Sequence, residues 1–275
     1  MTDVASPPGR AGARRLTRRQ RARLRRLGVY GVTLVVAAYL VVVTDWGRLQ
    51  EAFFDPTIFG DQFPDMVTRA ARNTITFTVL SFAIALALGL VFALLRLSPI
   101  RPYRWFAVVY IELFRGVPAL ITIFAIGFAI PIALGTRVPG RYGAGCLALG
   151  IVYSAYMAET IRAGIEAVPR GQMEAARSLG MTQARAMATI IIPQAFRIVI
   201  PPLTNELVSL IKDTSLLYVL GTTADTIEIT KFARDEVGRT FSITPLVAAA
   251  LVYLAITVPL TRVVAVLEAR GRRAR

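Results

Sequence analysis

The stretch EAVPRGQMEAARSLGMTQARAMATIIIP, Glu166 to Pro193, is a polar island between two apolar runs at 142–161 and 196–220. Each flanking run approaches or exceeds the roughly 18 apolar residues that cross a bilayer core, so the island reads as a loop between membrane spans. Pro169 suits a helix start and Gly180 a helix end, which predicts a short helix from Arg170 to Leu179. Thr182 is placed to cap a second helix leading to Pro193 and the next run. A helix this short has little stability of its own and needs something to dock into. Ala175 and Ala176 keep its surface small enough for close approach by a partner, and Glu174, Arg177 and Arg185 provide a charged rim.

Working outward, further apolar runs lie at 27–44, 70–95, 105–134 and 245–267. Hydrophobic residues make up 55% of the 275, and the charges lie in blocks between runs rather than on a helical or strand period. Mean hydropathy is +0.56. The fold class is all-α, a polytopic helical membrane protein of about six spans. Residues 1–26 carry nine arginines and read as a basic tail, disordered or lying on anionic headgroups. The spanning domain covers about 27–270. Tail and first run together resemble a signal peptide, but the run is long for one and no small-residue cleavage site follows. It reads as an uncleaved first span. The piece from Asp45 to Thr68 holds five acids against one arginine and reads as a polar outer loop with room for a surface-lying helix.

Charge tests that topology. With the N-terminus inside, cytoplasmic segments hold 22 basic residues and outer ones 8, while acids divide 4 inside and 9 outside. That asymmetry places both termini in the cytoplasm. It also explains a formal charge of +15 without nucleic acid. The chain has no histidine, so a histidine base or metal site is excluded, and no metal site is expected. The single cysteine, Cys146, cannot form an internal disulfide. Neither of the two lysines follows a GxxxxGK[ST] pattern, so ATP hydrolysis by a P-loop is excluded and the chain itself is not expected to be an enzyme.

Prolines at 118, 131, 201, 202 and 259 fall within runs, where each frees a carbonyl; they read as packing kinks, with a break at Pro201–Pro202. Charges inside spans are costly and need partners or a wet path. Glu112 and Arg115, and likewise Glu159 and Arg162, are three apart on one helix face and read as structural ion pairs. In the fifth span Asn205, Glu206, Ser209, Lys212 and Asp213 form one polar stripe. It offers both signs to a zwitterionic solute, or closes buried hydrogen bonds against a sister subunit.

The loop resembles the signature of ABC transporter permeases: glutamate-alanine-alanine, three residues, glycine, nine residues, then isoleucine, any residue, leucine and proline. Here these are Glu174, Ala175, Ala176, Gly180, Ile190, Ile192 and Pro193, with isoleucine for leucine at 192. Three stretches resemble the polar amino-acid branch: Glu112–Pro118, with Val117 where that branch has threonine; Ala158–Ile165, with Ala163 for glycine; and Leu210–Leu216. The resemblance covers about 68–268. It implies that the loop is a coupling helix seated in a separate ATP-binding subunit, with Glu174, Ala175, Ala176, Arg177, Gly180 and Pro193 as its residues. It also implies two copies of that ATPase, which would bind ATP and magnesium, and a second permease chain, identical or related. An extracytoplasmic solute-binding protein, an imported polar amino acid and residence in a prokaryotic plasma membrane complete the expectation. A gradient-driven secondary transporter is the alternative, and it would need inverted repeats that the sequence does not show. A third reading, a lipid or nucleic-acid binder working through the arginine tail, predicts a defect when residues 1–26 are deleted.

Overall fold

The computed structural model describes residues 18–136, 138–221 and 223–273. The chain divides into two compact units, one reaching to Gln50 and one from Glu51 onward. The first holds α1 (Arg18–Val43) and the start of α2 (Trp46–Phe53). Along α1 the apolar side chains from Leu27 to Val43 are exposed, as expected of a helix whose solvent is lipid. Arg18–Arg26 belong to this helix rather than to a disordered tail: nothing in that stretch breaks a helix, and the apolar turns after it continue the same hydrogen-bond ladder. Residues 1–17 of the expected tail lie outside the described residues.

In the second unit the helices are α3 (Pro56–Asp65), α4 (Arg72–Leu97), α5 (Arg101–Gly116), α6 (Ala119–Phe124), α7 (Ile130–Leu134), α8 (Gly143–Glu166), α9 (Arg170–Ser178), α10 (Gln183–Ala186), α11 (Ile192–Asp213), α12 (Ile229–Thr240) and α13 (Thr244–Arg273). Turns of π-helix join α3 to α4, α6 to α7 and α10 to α11, and a 3₁₀ stretch, Thr214–Leu220, follows α11. Five helices or helix runs are long and apolar enough to cross a membrane, and six do if one bent pair counts as a span.

One expectation needs correction, the break at Pro201–Pro202. The segment Asp45–Thr68 is mostly helical. Asp55 caps α3 by accepting from the Thr57 and Ile58 N–H groups, and Pro56 sits at the first position, where its missing N–H costs nothing. The run 105–134 bends at Pro118, where two helical arms meet at 106°. Val117, forced out of the helical region by the proline after it, is extended, and Pro118 cannot donate across the joint. At Pro201–Pro202 there is no break, for α11 runs through both. A proline's φ already matches a helix, so these residues remove donors without forcing the chain to turn.

The centre of the second unit is the pairing of α4 with α8, and α11 packs against both. Phe77, Ala85, Leu149, Val152, Met157, Leu210 and Leu217 form its core. Glycines set the spacing: a Cβ on Gly89 would lie 2.8 Å from the Met157 Cβ, and one on Gly164 only 2.0 Å from a Val199 methyl. Close approach through small residues is the usual means of helix association in lipid. Gly89→Val is therefore expected to lower stability by about 1–3 kcal/mol through overpacking. Gly60→Val, where a Cβ meets nothing within 4 Å, is the control, and equal melting temperatures for the two proteins in detergent would refute the packing claim.

The two ends of this bundle are distinct. The start of α4 lies beside the start of α12, with the Thr74 hydroxyl accepting from Ile229 N–H at 3.2 Å. Tyr142, just before α8, donates to Asn73 at 2.8 Å. The far end of α8 leads into α9, so α9 and α12 stand at opposite ends, separated by about 39 Å of α4.

Candidate functional site

The loop between α8 and α11 begins at Pro169, which is extended and starts α9. Three hydrogen bonds end that helix: Leu179 N–H to Ala175 C=O, Gly180 N–H to Arg177 C=O, and Met181 N–H to Ala176 C=O. The last two are the paired bonds of a Schellman motif, and Gly180 supplies its left-handed residue at φ +79°. Arg177 donates to the Met181 carbonyl at 3.1 Å, fastening the turn from outside. Thr182 then caps α10 by accepting from Arg185 N–H.

α9 has two faces. Met173 packs inward on a small cluster of Val168, Ile191 and Ala195, and Gln194 donates to Gln172 at 3.3 Å. Ala176 is 2% exposed and belongs to this inner face, so it seats α9 on its own chain rather than on a partner. The reason is its position: it lies one turn beyond Met173, on the side turned toward the start of α11. Glu174, Ala175 and Arg177 face outward. Leu179 joins them at 82% exposure, a large apolar side chain held out by a rigid turn. Sequence reading missed it, because it falls between helix and glycine where no periodicity applies. Pro193, in the first turn of α11, lies at the point where the loop re-enters the apolar region.

Along α11 the polar stripe divides. Asn205 and Lys212 are exposed, whereas Glu206, Ser209 and Asp213 are half-buried. Asp213 accepts a 2.8 Å hydrogen bond from Tyr153 on α8, itself almost fully buried. Deeper along α8, Ser154 and Tyr110 share a 2.7 Å contact. Those tyrosines were the missed signal: a hydroxyl inside an apolar run needs a polar partner, Asp213 for Tyr153 and Ser154 for Tyr110. Arg162 pairs with both Glu159 and Glu166. Glu112 and Arg115, by contrast, form no ion pair within 4.0 Å among the described residues; the Arg115 guanidinium instead lies 5.7 Å from the centre of the Tyr156 ring. Both side chains are exposed, where an ion pair contributes little to stability. Among the described residues no group of carboxylates or cysteine converges as a metal site would require.

Residues 85–273 match the family model described as binding-protein-dependent transport system inner membrane component. The chain belongs to that family. It is 40% identical over 198 residues to the probable glutamine ABC transporter permease protein GlnM of Bacillus subtilis (strain 168), covering 72% of this chain and 89% of the relative. The arginine transport system permease protein ArtQ of the same organism is 34% identical over 189 residues, 68% of this chain and 84% of its own. Among solved structures, an amino acid ABC transporter with histidines superposes with a TM-score of 0.71 at 36% identity, covering 78% of this chain and 98% of that one. A chain of the MetNI methionine ABC transporter shares the fold, with a TM-score of 0.57 at 19% identity. This is a multi-pass ABC transporter permease subunit, and both the Glu174–Gly180 loop and the α11 stripe lie within the matched residues.

Proposed function

We propose that this permease subunit imports a polar amino acid, driven by ATP that a separate subunit binds with magnesium and hydrolyses. Two copies of the ATPase sit at the α9 end of a pair of permease chains, identical or related. An extracytoplasmic binding protein delivers solute at the α12 end. Both termini are cytoplasmic, and the membrane is a prokaryotic plasma membrane. The carrying observation is the outward face of α9: Leu179 exposed on a turn closed by three hydrogen bonds. A nine-residue helix held to its own chain by one small apolar cluster has little stability of its own, and a partner's surface would supply the rest. Amino-acid substrate is supported by relatives named for glutamine and arginine. On this reading Asn205, Glu206, Ser209, Lys212 and Asp213 line the solute path, whose two signs suit an ammonium and a carboxylate.

The test is reconstitution in liposomes with the cognate ATPase and binding protein, using labelled glutamine and arginine. Uptake is expected to require internal-face ATP and to survive a protonophore. Uptake that persists without ATP and collapses with the protonophore would instead establish a gradient-driven carrier. Deleting residues 1–26 is expected to leave transport intact, in keeping with a basic segment that serves topology and lipid attraction.

A further inference from the structure

The acids of α3 have no part in the coupling loop or the polar stripe. That helix is fixed at its start: Asp55 caps it and donates its own N–H to the Thr244 hydroxyl of α13 at 3.1 Å. Beside it, α12 begins at Glu228, fully buried, whose carboxylate accepts from the Thr230 and Lys231 N–H groups at 2.6 Å. The two helices repeat one pattern, an adjacent pair and a residue one turn on: Asp61, Gln62 and Asp65 on α3, and Asp235, Glu236 and Arg239 on α12. These six residues, with Arg69, line a cavity of about 600 Å³.

Its walls carry four carboxylates. Asp235 is paired with Lys231, and Asp65 lies 3.7 Å from Arg69, with both of those side chains more than half exposed. Glu236 is only 15% exposed, yet its one cation, Arg239, is 77% exposed at 2.7 Å and is held weakly. Among the described residues Asp61 has no ion pair, so one acid in the cavity is left without a counter-ion. Gln62 points the same way. It is 6% exposed, and its Nε2 donates to Glu236 at 3.4 Å, but its Oε1 is buried with no hydrogen-bond partner. An unpaired buried acceptor is costly, so the wall asks for a donor, and the surplus acid selects one that is positively charged.

We propose that the cavity between α3 and α12 binds a small organic cation, a free molecule carrying a guanidinium or primary ammonium group. The cation donates to the Gln62 Oε1 and pairs with Glu236 and Asp61, while Arg239 gives way at the rim. A guanidinium suits this best, because its fork of N–H groups reaches an amide oxygen and a carboxylate together. The volume lies within the range of small-molecule sites, roughly 300–1,000 Å³. A bare metal ion is a poorer occupant: among the described residues no three acids converge closely enough to hold one. The site shares no residue with the α11 stripe and stands at the end of the bundle away from α9. It therefore depends neither on ATP nor on the route of the transported solute.

The experiment is equilibrium dialysis of radiolabelled agmatine against the full chain in nanodiscs of phosphatidylcholine alone, which offers no anionic headgroup to hold the probe. Saturable binding is expected, with a dissociation constant of about 1 mM or tighter. Butylguanidine is expected to displace the label at least about tenfold better than butylurea, which has nearly the same shape without the charge. Gln62→Leu removes the orphaned acceptor, and is expected to weaken binding at least about tenfold without lowering the melting temperature. Asp61→Asn, an exposed change that keeps the fold safe, is expected to weaken it at least about threefold. Asp213→Asn in the α11 stripe is expected to leave agmatine binding unchanged, which separates this site from the solute path. Absence of saturable binding, equal displacement by butylurea, native affinity in Asp61→Asn, or loss of binding in Asp213→Asn would overturn the proposal.

Discussion

Replacing Gly180 with valine is expected to cut ATP-driven uptake by at least about tenfold while leaving membrane insertion unchanged. Gly180 sits at φ +79°, and a Cβ there would meet nothing within 4 Å. The substitution therefore acts through the backbone alone. A left-handed conformation costs an ordinary residue about 1–2 kcal/mol, and a β-branched one more. That is small against the 5–15 kcal/mol of a whole fold, but α9 has only nine residues and one small apolar cluster to hold it. The cheapest relief is to unwind its last turn, which frees Leu179 and Arg177 from the geometry that presents them. Gly180→Asn is the control, since asparagine tolerates this conformation. It is expected to retain most of the activity. The two readouts are uptake and the stimulation of ATPase by solute-loaded binding protein, and full transport by the valine variant would show that the turn transmits nothing.

The second large effect is expected at Asp213. Asp213→Asn preserves an acceptor for the Tyr153 hydroxyl, now at 2.8 Å, and removes only the charge. If the stripe lines the solute path, uptake falls by about tenfold or more, as expected on losing a charge-assisted contact of 1.5–3 kcal/mol, with the melting temperature little changed. Tyr153→Phe does the reverse: it leaves the charge, loses one hydrogen bond worth about 1 kcal/mol, and is expected to affect stability more than transport. Should both variants lose stability and transport in parallel, the stripe is packing against a sister subunit and not a route for solute.

The parts of this molecule legible in its sequence are those governed by local rules. Apolar length marked the spans, and Pro169 with Gly180 bounded α9 to within one residue of the observed Ser178. What escaped depended on geometry between distant elements. Ala176 turned out to face its own chain because α11 returns beside α9, a packing that residue type alone does not encode. The bend in the run 105–134 was legible from Pro118, but its angle of 106° was not. Pro201 and Pro202 carry the same local signal and produce no break. Glu228 looked like one more outer acid. Its burial arises only when α12 closes over α13 and the start of α4.

The central claim is that the outward face of α9 lies in the cytoplasm beneath a separate ATPase. Its most direct test places a single cysteine at the tip, Leu179→Cys in a Cys146→Ala background, and probes it with a membrane-impermeant maleimide. Labelling is expected in inside-out vesicles and absent in right-side-out ones, and the ATP-binding subunit is expected to protect the site when it is added. Reaction from the outer face, or labelling that the ATP-binding subunit leaves unchanged, would contradict the assignment.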